Sequence, residues 1–192
     1  MHPTLKTRRH RAWFIIFSIV IFQWQMPVYS AQTTENMGVT ADVANSCVVG
    51  QSRDVNFGYY EGTTILAEGA ISINCAKGMA VRSIGLGDGQ NILKKQRRMK
   101  AKTQDSYVAY NIYRPIGVDL KNTPPNSGSC SNANDVWSDS PGQRLKFPGH
   151  TGEFPVTRTV LINVCGELTN AAAASAPADE YLDIVTINVD FK

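Results

Sequence analysis

The chain has 192 residues, of which 43% are hydrophobic and 18% charged, and its formal net charge is +3. This length suits one domain with a real hydrophobic core. Residues 1–30 carry four basic residues and no acidic ones, which leaves 15 basic against 16 acidic residues in the remainder. The remainder is therefore close to neutral, and its charge gives no support to a nucleic-acid partner.

The first 30 residues have the order of a secretory signal peptide. An apolar run covers residues 12–22, and Val28-Tyr29-Ser30 places a small residue at a cleavage site. The run is shorter than the roughly 20 residues that a membrane-spanning helix needs. We expect cleavage after Ser30, or alternatively after Ala31, and export of a mature chain without a transmembrane segment. The basic residues that precede the run are Lys6, Arg8, Arg9 and Arg11.

Four cysteines follow the signal segment, and they are Cys47, Cys75, Cys130 and Cys165. An even number of cysteines in an exported chain indicates two disulfides, for which three pairings are open. A zinc site would need thiolates at short spacing, but the gaps are 27, 54 and 34 residues and no C-x-x-C pair occurs. We therefore expect disulfides and no metal site.

Short stretches of alternating apolar and polar residues recur along the chain between turn residues. Such period-two patterns are typical of antiparallel strands with one buried face. Helix-favouring residues are confined to a short alanine run at 171–174. The sequence therefore predicts an all-β fold, with a β-sandwich as its natural architecture. The alternating stretches are residues 37–43, 71–75, 81–86, 107–113, 160–165 and 185–191.

The last stretch allows a prediction for each of its residues. Side chains two positions apart lie on the same face of a strand. The face that we expect to point into the core consists of Val185, Ile187, Val189 and Phe191. The face that we expect to point away from the core consists of Ile184, Thr186, Asn188 and Asp190.

The sequence offers few residues for catalysis. His150 is the one histidine beyond residue 30, and the glycine and proline residues around it predict a solvated loop. The chain has no nucleophile-elbow, phosphate-loop or dinucleotide-binding motif, and nothing in its spacing marks a pair of carboxylates. We expect neither enzymatic activity nor a cofactor.

Two features allow both a functional and a structural interpretation. A run of basic residues between positions 94 and 102 suits binding of an acidic polysaccharide or of lipopolysaccharide, although a solvated hairpin between two strands is favoured. Trp137, in a polar loop, suits either a surface anchor or a side chain that folds back over one end of a sheet. The basic residues are Lys94, Lys95, Arg97, Arg98, Lys100 and Lys102.

Seven short motifs carry a family resemblance. In chain order they are the strand at 39–47, Phe57-Gly58-Tyr59-Tyr60, the strand at 71–75, Arg98-Met99, Tyr110-Asn111-Ile112-Tyr113-Arg114, Trp137-Ser138-Asp139 and the closing stretch at 181–191. In order and spacing they resemble the spore coat protein U family, the pilins of archaic chaperone–usher pili. The resemblance covers most of the mature chain, while Cys130, Cys165 and the alanine-rich loop at 169–179 depart from the family pattern.

The resemblance implies an incomplete immunoglobulin-like β-sandwich that lacks its last strand, with the pilin domain at residues 45–192. The end of the sequence at Lys192, directly after the closing stretch, agrees with this expectation. In the family the strands that end at the first two cysteines are linked. The resemblance therefore implies a Cys47–Cys75 disulfide, which leaves Cys130 to pair with Cys165.

The resemblance also implies that residues 31–44 form an N-terminal donor strand. Four alternating side chains of this segment would fill successive pockets in the groove of a neighbouring subunit. The same alternation suits a first strand of the subunit's own sandwich, so both interpretations stay open. The four residues are Met37, Val39, Ala41 and Val43.

By the same resemblance, the partners are a periplasmic chaperone, an outer-membrane usher and neighbouring pilin subunits. The implied product is a surface pilus, or fimbrium, that supports adhesion and biofilm formation. The alternative is a secreted surface- or carbohydrate-binding adhesin or coat protein, in which Trp137 and the basic run carry recognition.

Overall fold

The computed structural model describes residues 46–122 and 127–192. The predicted signal peptide at 1–30 and the predicted donor-strand segment at 31–44 lie outside the described residues. One helical turn, α1 (Asn170–Ala173), interrupts an otherwise β-rich chain. The strands are β1 (Cys47–Val49), β2 (Ile65–Cys75), β3 (Val81–Leu86), β4 (Arg98–Ala101), β5 (Tyr107–Ala109), β6 (Asn111–Tyr113), β7 (Leu145–Lys146), β8 (Arg158–Leu168), β9 (Tyr181–Leu182) and β10 (Ile187–Phe191).

The first sheet is built around β2 and β8, which pair antiparallel along all of their residues. β1 pairs with the free edge of β2 and β6 with that of β8, so the strand order is β1-β2-β8-β6. β-branched side chains alternate along both long strands, and such side chains suit a pleated, half-buried surface. The buried ones include Ile71, Ile73, Val160, Ile162 and Val164.

Two three-stranded sheets form the opposite layer, with the orders β10-β3-β7 and β5-β4-β9. The closing stretch 181–191 takes part in both, because β9 pairs with β4 and β10 pairs with β3. Ile84 and Leu86 of β3 meet the buried residues of β2 and β8 in one core cluster. The predicted all-β fold is therefore confirmed, and its sheets are consistent with an immunoglobulin-like β-sandwich.

Trp137 lies at the centre of this core and is fully buried. Its indole Nε1 donates a hydrogen bond to the carbonyl of Ile84 in β3 at 2.9 Å. Its backbone N–H donates to the carbonyl of Ile112 in β6, also at 2.9 Å. The residue thus connects the two layers, which agrees with the interpretation of a tryptophan that folds back and contradicts that of a surface anchor.

Disulfides join Cys47 to Cys75 and Cys130 to Cys165, which is the expected pairing. The first links residues that lie directly opposite each other on β1 and β2. The second attaches the loop before Trp137 to β8, where the Asn163 side chain also donates to the carbonyl of Gly128 at 3.0 Å. The two bonds therefore secure an edge strand and a long loop to the same sheet.

The closing stretch has the expected alternation, except at its end. Val185, Ile187 and Val189 are half-buried and pack against the core, whereas Ile184 is 55% exposed. Phe191, which we expected to face the core, is 40% exposed. The pairing of β10 with β3 shifts between Asp190 and Phe191, and this irregularity places the ring at the end of the sheet, where the core no longer covers it.

We expect the double variant Cys130→Ser/Cys165→Ser to lose about 2–4 kcal/mol of unfolding free energy, because the bond no longer restricts the unfolded chain. Urea denaturation of the oxidised protein measures this loss. Peptide mapping without reduction should still give the Cys47–Cys75 peptide in the variant. Recovery of a Cys47–Cys130 or Cys47–Cys165 peptide from the wild-type chain would contradict the pairing.

Two isoleucines of the closing stretch provide a matched pair for testing its orientation. Ile187→Asp places a carboxylate against the core and should lower the unfolding free energy by about 2–3 kcal/mol. Ile184→Asp makes the same chemical change at an exposed position and should cost less than about 0.5 kcal/mol. Equal urea midpoints for the two variants would show that the strand is oriented differently.

Candidate functional site

An apolar groove opens along one side of the sandwich and encloses a volume of about 1450 Å³. One wall is the segment 52–60 that follows β1, and the other is the stretch 176–187 that leads into β10. Side chains from both layers of the sandwich form its floor. They include Ile71, Leu86, Met99, Ile112 and Val164.

The wall at 52–60 lies close to the first sheet because two glycines make room for it. A Cβ atom at Gly166 of β8 would come within 2.4 Å of the side chain of Val55, and one at Gly69 of β2 within 2.8 Å of the same side chain. Phe57 packs edge-on against Tyr110, with 6.2 Å between the ring centroids. The small residues inside both long strands therefore let a segment without regular secondary structure border the groove.

The opposite wall is held by Asp183, which lies between β9 and β10. Its carboxylate accepts hydrogen bonds from the hydroxyl of Tyr110 at 2.7 Å and from the backbone N–H of Gln90 at 2.8 Å. Gly89, at φ +79°, permits this approach, because a Cβ atom there would lie 2.0 Å from the carboxylate. Burial, together with the bond to Asp183, raises the pKa of the Tyr110 hydroxyl above its ordinary value.

Arg97 is buried behind the same wall. Its guanidinium donates to the carbonyls of Leu86 at 2.9 Å, Gly87 at 2.7 Å and Trp137 at 2.8 Å. Desolvation lowers the pKa of this group from its ordinary value. The expected solvated hairpin is therefore wrong for Arg97, which is a cross-link between turns. The exposed lysines of the run fit the expectation, and they are Lys94 and Lys95 at the tip of the hairpin and Lys100 and Lys102 beyond it.

The other basic residues of the run have partners too. Arg98 stacks on the ring of Tyr107 at 4.3 Å from its centroid, and Lys102 forms an ion pair with Glu180 at 2.8 Å. Lys100 lies 4.0 Å from Asp105. The run is consequently not one free cationic patch, which weakens the interpretation of a polysaccharide-binding site at this position.

One end of the groove is closed by the alanine-rich loop. Ala173 is buried in a small cluster with Val108 and Leu168, and Ala176 packs against that cluster. The side chain of Thr169 caps α1 by accepting from the N–H of Ala172 at 3.3 Å. Alanine suits this position because its small side chain covers the floor without filling the groove.

The groove also has an unpaired backbone edge. Within residues 46–122 and 127–192, β10 pairs only with β3, and no strand joins its outer edge. An exposed strand edge is a template on which another strand can add its backbone hydrogen bonds. The site therefore combines an apolar floor with a free strand edge.

The structure brings together only part of the predicted site. Val185 and Ile187 line the groove, whereas the four expected donor residues lie outside the described part of the chain. Sequence reasoning missed the roles of Val55, Tyr110 and Asp183. The sequence held one signal for two of these positions, because Tyr110 and Asp183 both fall inside motifs that carry the family resemblance.

The described residues contain no group of three or more metal-ligating side chains that could hold an ion. His150 is exposed and pairs with Glu153, and this hydrogen bond lowers the pKa of the Glu153 carboxyl. In the same part of the chain, no helix has the length and apolar character required to cross a membrane.

Fold and groove together define a disulfide-bonded β-sandwich that, in the part of the chain described, has one open, apolar side. The chain belongs to the Spore Coat Protein U domain family, whose model matches residues 33–188. The resemblance found in the sequence is thereby confirmed. A search of the curated proteins found no match.

A solved structure similar to this chain is the CsuC–CsuE chaperone–tip adhesion subunit pre-assembly complex from archaic chaperone–usher Csu pili of Acinetobacter baumannii. The identity is 20% and the TM-score 0.44, over 76% of this chain. The match spans 39% of the length of the other chain. A likeness this distant carries no conclusion about function.

The burial of Tyr110, together with its bond to Asp183, predicts a pH dependence of stability. The folded state raises the pKa of the Tyr110 hydroxyl above the ordinary tyrosine pKa of about 10. The protonated hydroxyl therefore stabilises the fold fully below about pH 10, and this stabilisation is lost as the pH rises further. Above about pH 10, the unfolding free energy of the wild type should fall by about 1.4 kcal/mol per pH unit more than that of Tyr110→Phe. Urea denaturation at a series of alkaline pH values measures the difference, and parallel curves for the two proteins would contradict it.

Proposed function

We propose that this protein is a structural subunit of a surface pilus assembled by the chaperone–usher pathway through donor-strand complementation. The observation that supports this most directly is the apolar groove beside the free edge of β10. An apolar groove and an unpaired strand edge are both costly in water. A strand supplied by another chain removes both costs at once.

The donor is the segment 31–44 of a second copy of this chain. Its side chains at Met37, Val39, Ala41 and Val43 alternate and so share one face of an extended strand. Backbone hydrogen bonds to the edge of β10 supply general affinity, and the alternate side chains enter successive pockets of the groove. Gly38 allows the backbone to approach closely between the first two of them.

This mode of pairing determines the shape of the assembly. Each subunit offers its N-terminal segment to one neighbour and its groove to the other, so the interface is heterologous. Heterologous contacts whose rotation does not close produce open filaments rather than rings. The pilin domain in this proposal covers residues 45–192, and residues 1–30 direct export.

The remaining partners follow from the instability of the open groove. A periplasmic chaperone covers it before assembly, and an outer-membrane usher exchanges the chaperone for the next subunit. The filament then stands on the cell surface, where it supports adhesion and biofilm formation. The role is structural rather than catalytic.

The competing interpretation is an adhesin module with recognition by Trp137 and the basic run. Trp137 is fully buried, and Arg97, Arg98 and Lys102 are engaged within the fold. Neither feature therefore favours this alternative.

Val39→Asp should give a subunit that folds and binds its chaperone but does not extend a fibre, because a charged side chain cannot enter an apolar pocket. Thr40→Asp is the matched control, since its side chain points to the other face of the strand. Fibre growth from purified chaperone–subunit complexes measures both. Normal growth of the Val39 variant would refute the donor-strand assignment.

A copy of residues 31–44 attached after Lys192 through a short turn should complete the subunit itself. Lys192 pairs with Ala80 at the end of β10, so the added segment can return antiparallel along the free edge. We expect a monomer that is stable without chaperone and does not polymerise. The same fusion protein with Val39→Asp in the added copy should not be stable without chaperone. Equal stability of the two fusion proteins would contradict the proposal.

A further inference from the structure

A second cleft, of about 770 Å³, lies where the edge of β7 faces the loops that follow β6 and precede Trp137. Its walls come from β3, β7 and the segments 114–116 and 134–135. None of the residues that line it also lines the apolar groove. The cleft is therefore a separate site, and its chemistry is independent of the proposed function.

Two exposed cations occupy one wall of this cleft. Lys146 of β7 lies opposite Ser83 of β3, and Arg82 is the residue next to Ser83. Arg82 lies at the irregularity in the pairing of β3 with β10, where Ser83 pairs with Asp190 and Val81 with Phe191. Among the described residues, neither cationic side chain forms an ion pair or a side-chain hydrogen bond. Two cations that line the same cleft attract a bound anion.

The opposite wall is polar. Arg114 forms an ion pair with Asp135 at 3.0 Å, and the amide of Asn134 is exposed beside it. The charge of Arg114 is thus compensated, and the net positive charge of the cleft comes from Arg82 and Lys146. The carboxylate and the amide are groups that exchange hydrogen bonds with hydroxyl groups.

The floor of the cleft is apolar. Pro115, Leu145 and Phe147 are buried beneath it, and Ile116 and Pro148 are exposed at its rim. A surface of this kind suits the C–H face of a sugar ring.

We propose that this cleft binds an acidic polysaccharide through the carboxylate groups of its uronic acid residues. Such a polymer meets all three parts of the site: its carboxylates pair with Arg82 and Lys146, its hydroxyls with Asn134 and Asp135, and its ring faces with the apolar floor. An acidic peptide offers the carboxylates but lacks a regular array of hydroxyls. The site lies on the side of the sandwich opposite the free edge of β10, since β3 separates β7 from β10.

The test uses the purified protein and oligogalacturonate at low salt, with binding measured by calorimetry. Arg82→Glu/Lys146→Glu should bind at least about tenfold more weakly than the wild type, because two charge pairs become repulsive. Lys94→Glu/Lys95→Glu makes the same change in net charge at the hairpin tip and should bind like the wild type. All four side chains are exposed, so the variants should melt at similar temperatures.

Two further probes identify the chemistry that is recognised. A neutral galactan oligomer should not bind, and polyglutamate should bind more weakly than oligogalacturonate. Absence of oligogalacturonate binding, or equal weakening by both double variants, would overturn the proposal. The proposal would also be overturned if polyglutamate bound more tightly than oligogalacturonate and lost this binding in the Arg82→Glu/Lys146→Glu variant. That result would assign the cleft to acidic peptides.

Discussion

Within residues 46–122 and 127–192, the stretch 181–191 pairs with β3 and β4 on one side only, and much of the described structure can be understood from that constraint. A strand at the edge of a sheet has backbone groups without a partner, and here the edge also borders a floor of isoleucine, leucine, valine and methionine side chains. Hydrophobic burial favours covering this floor, while residues 46–122 and 127–192 leave one side of it open. The groove therefore joins an apolar floor to backbone groups that an added strand could pair with.

An open edge would be expected to fray, and polar contacts counteract that tendency here. Asp183 connects the stretch to Tyr110 and to the turn at Gln90, and Arg97 ties the turns at Gly87 and Trp137 together. Asp183, Tyr110 and Arg97 are buried or half-buried and hydrogen-bonded, so their bonds contribute more in the low-dielectric interior than they would at the surface. The groove can consequently keep its width while its apolar floor remains accessible to a partner.

The two openings of the sandwich differ in chemistry. The groove beside β10 is lined mainly by apolar side chains and an unpaired strand edge, which suits a partner that contributes backbone and apolar side chains. The cleft beside β7 has two exposed cations, polar groups and a small apolar floor, which suits a soluble polymer. The β-sandwich separates the sites, so that assembly through one side would leave the other side accessible in a filament.

The sequence by itself determined the features that are local: alternation gave the strands and the inward face of Val185, Ile187 and Val189, and an even cysteine count in an exported chain indicated two disulfides. The motifs predicted the family. Only the tertiary structure decided the burial of Trp137 and Arg97, the exposure of Phe191 and the position of the two walls of the groove. Alternation specifies which residues share a face, but not which distant segments lie against that face. Val55 borders the groove because glycines more than ten residues away in β2 and far along the chain in β8 make room for it, and no local pattern records such a contact.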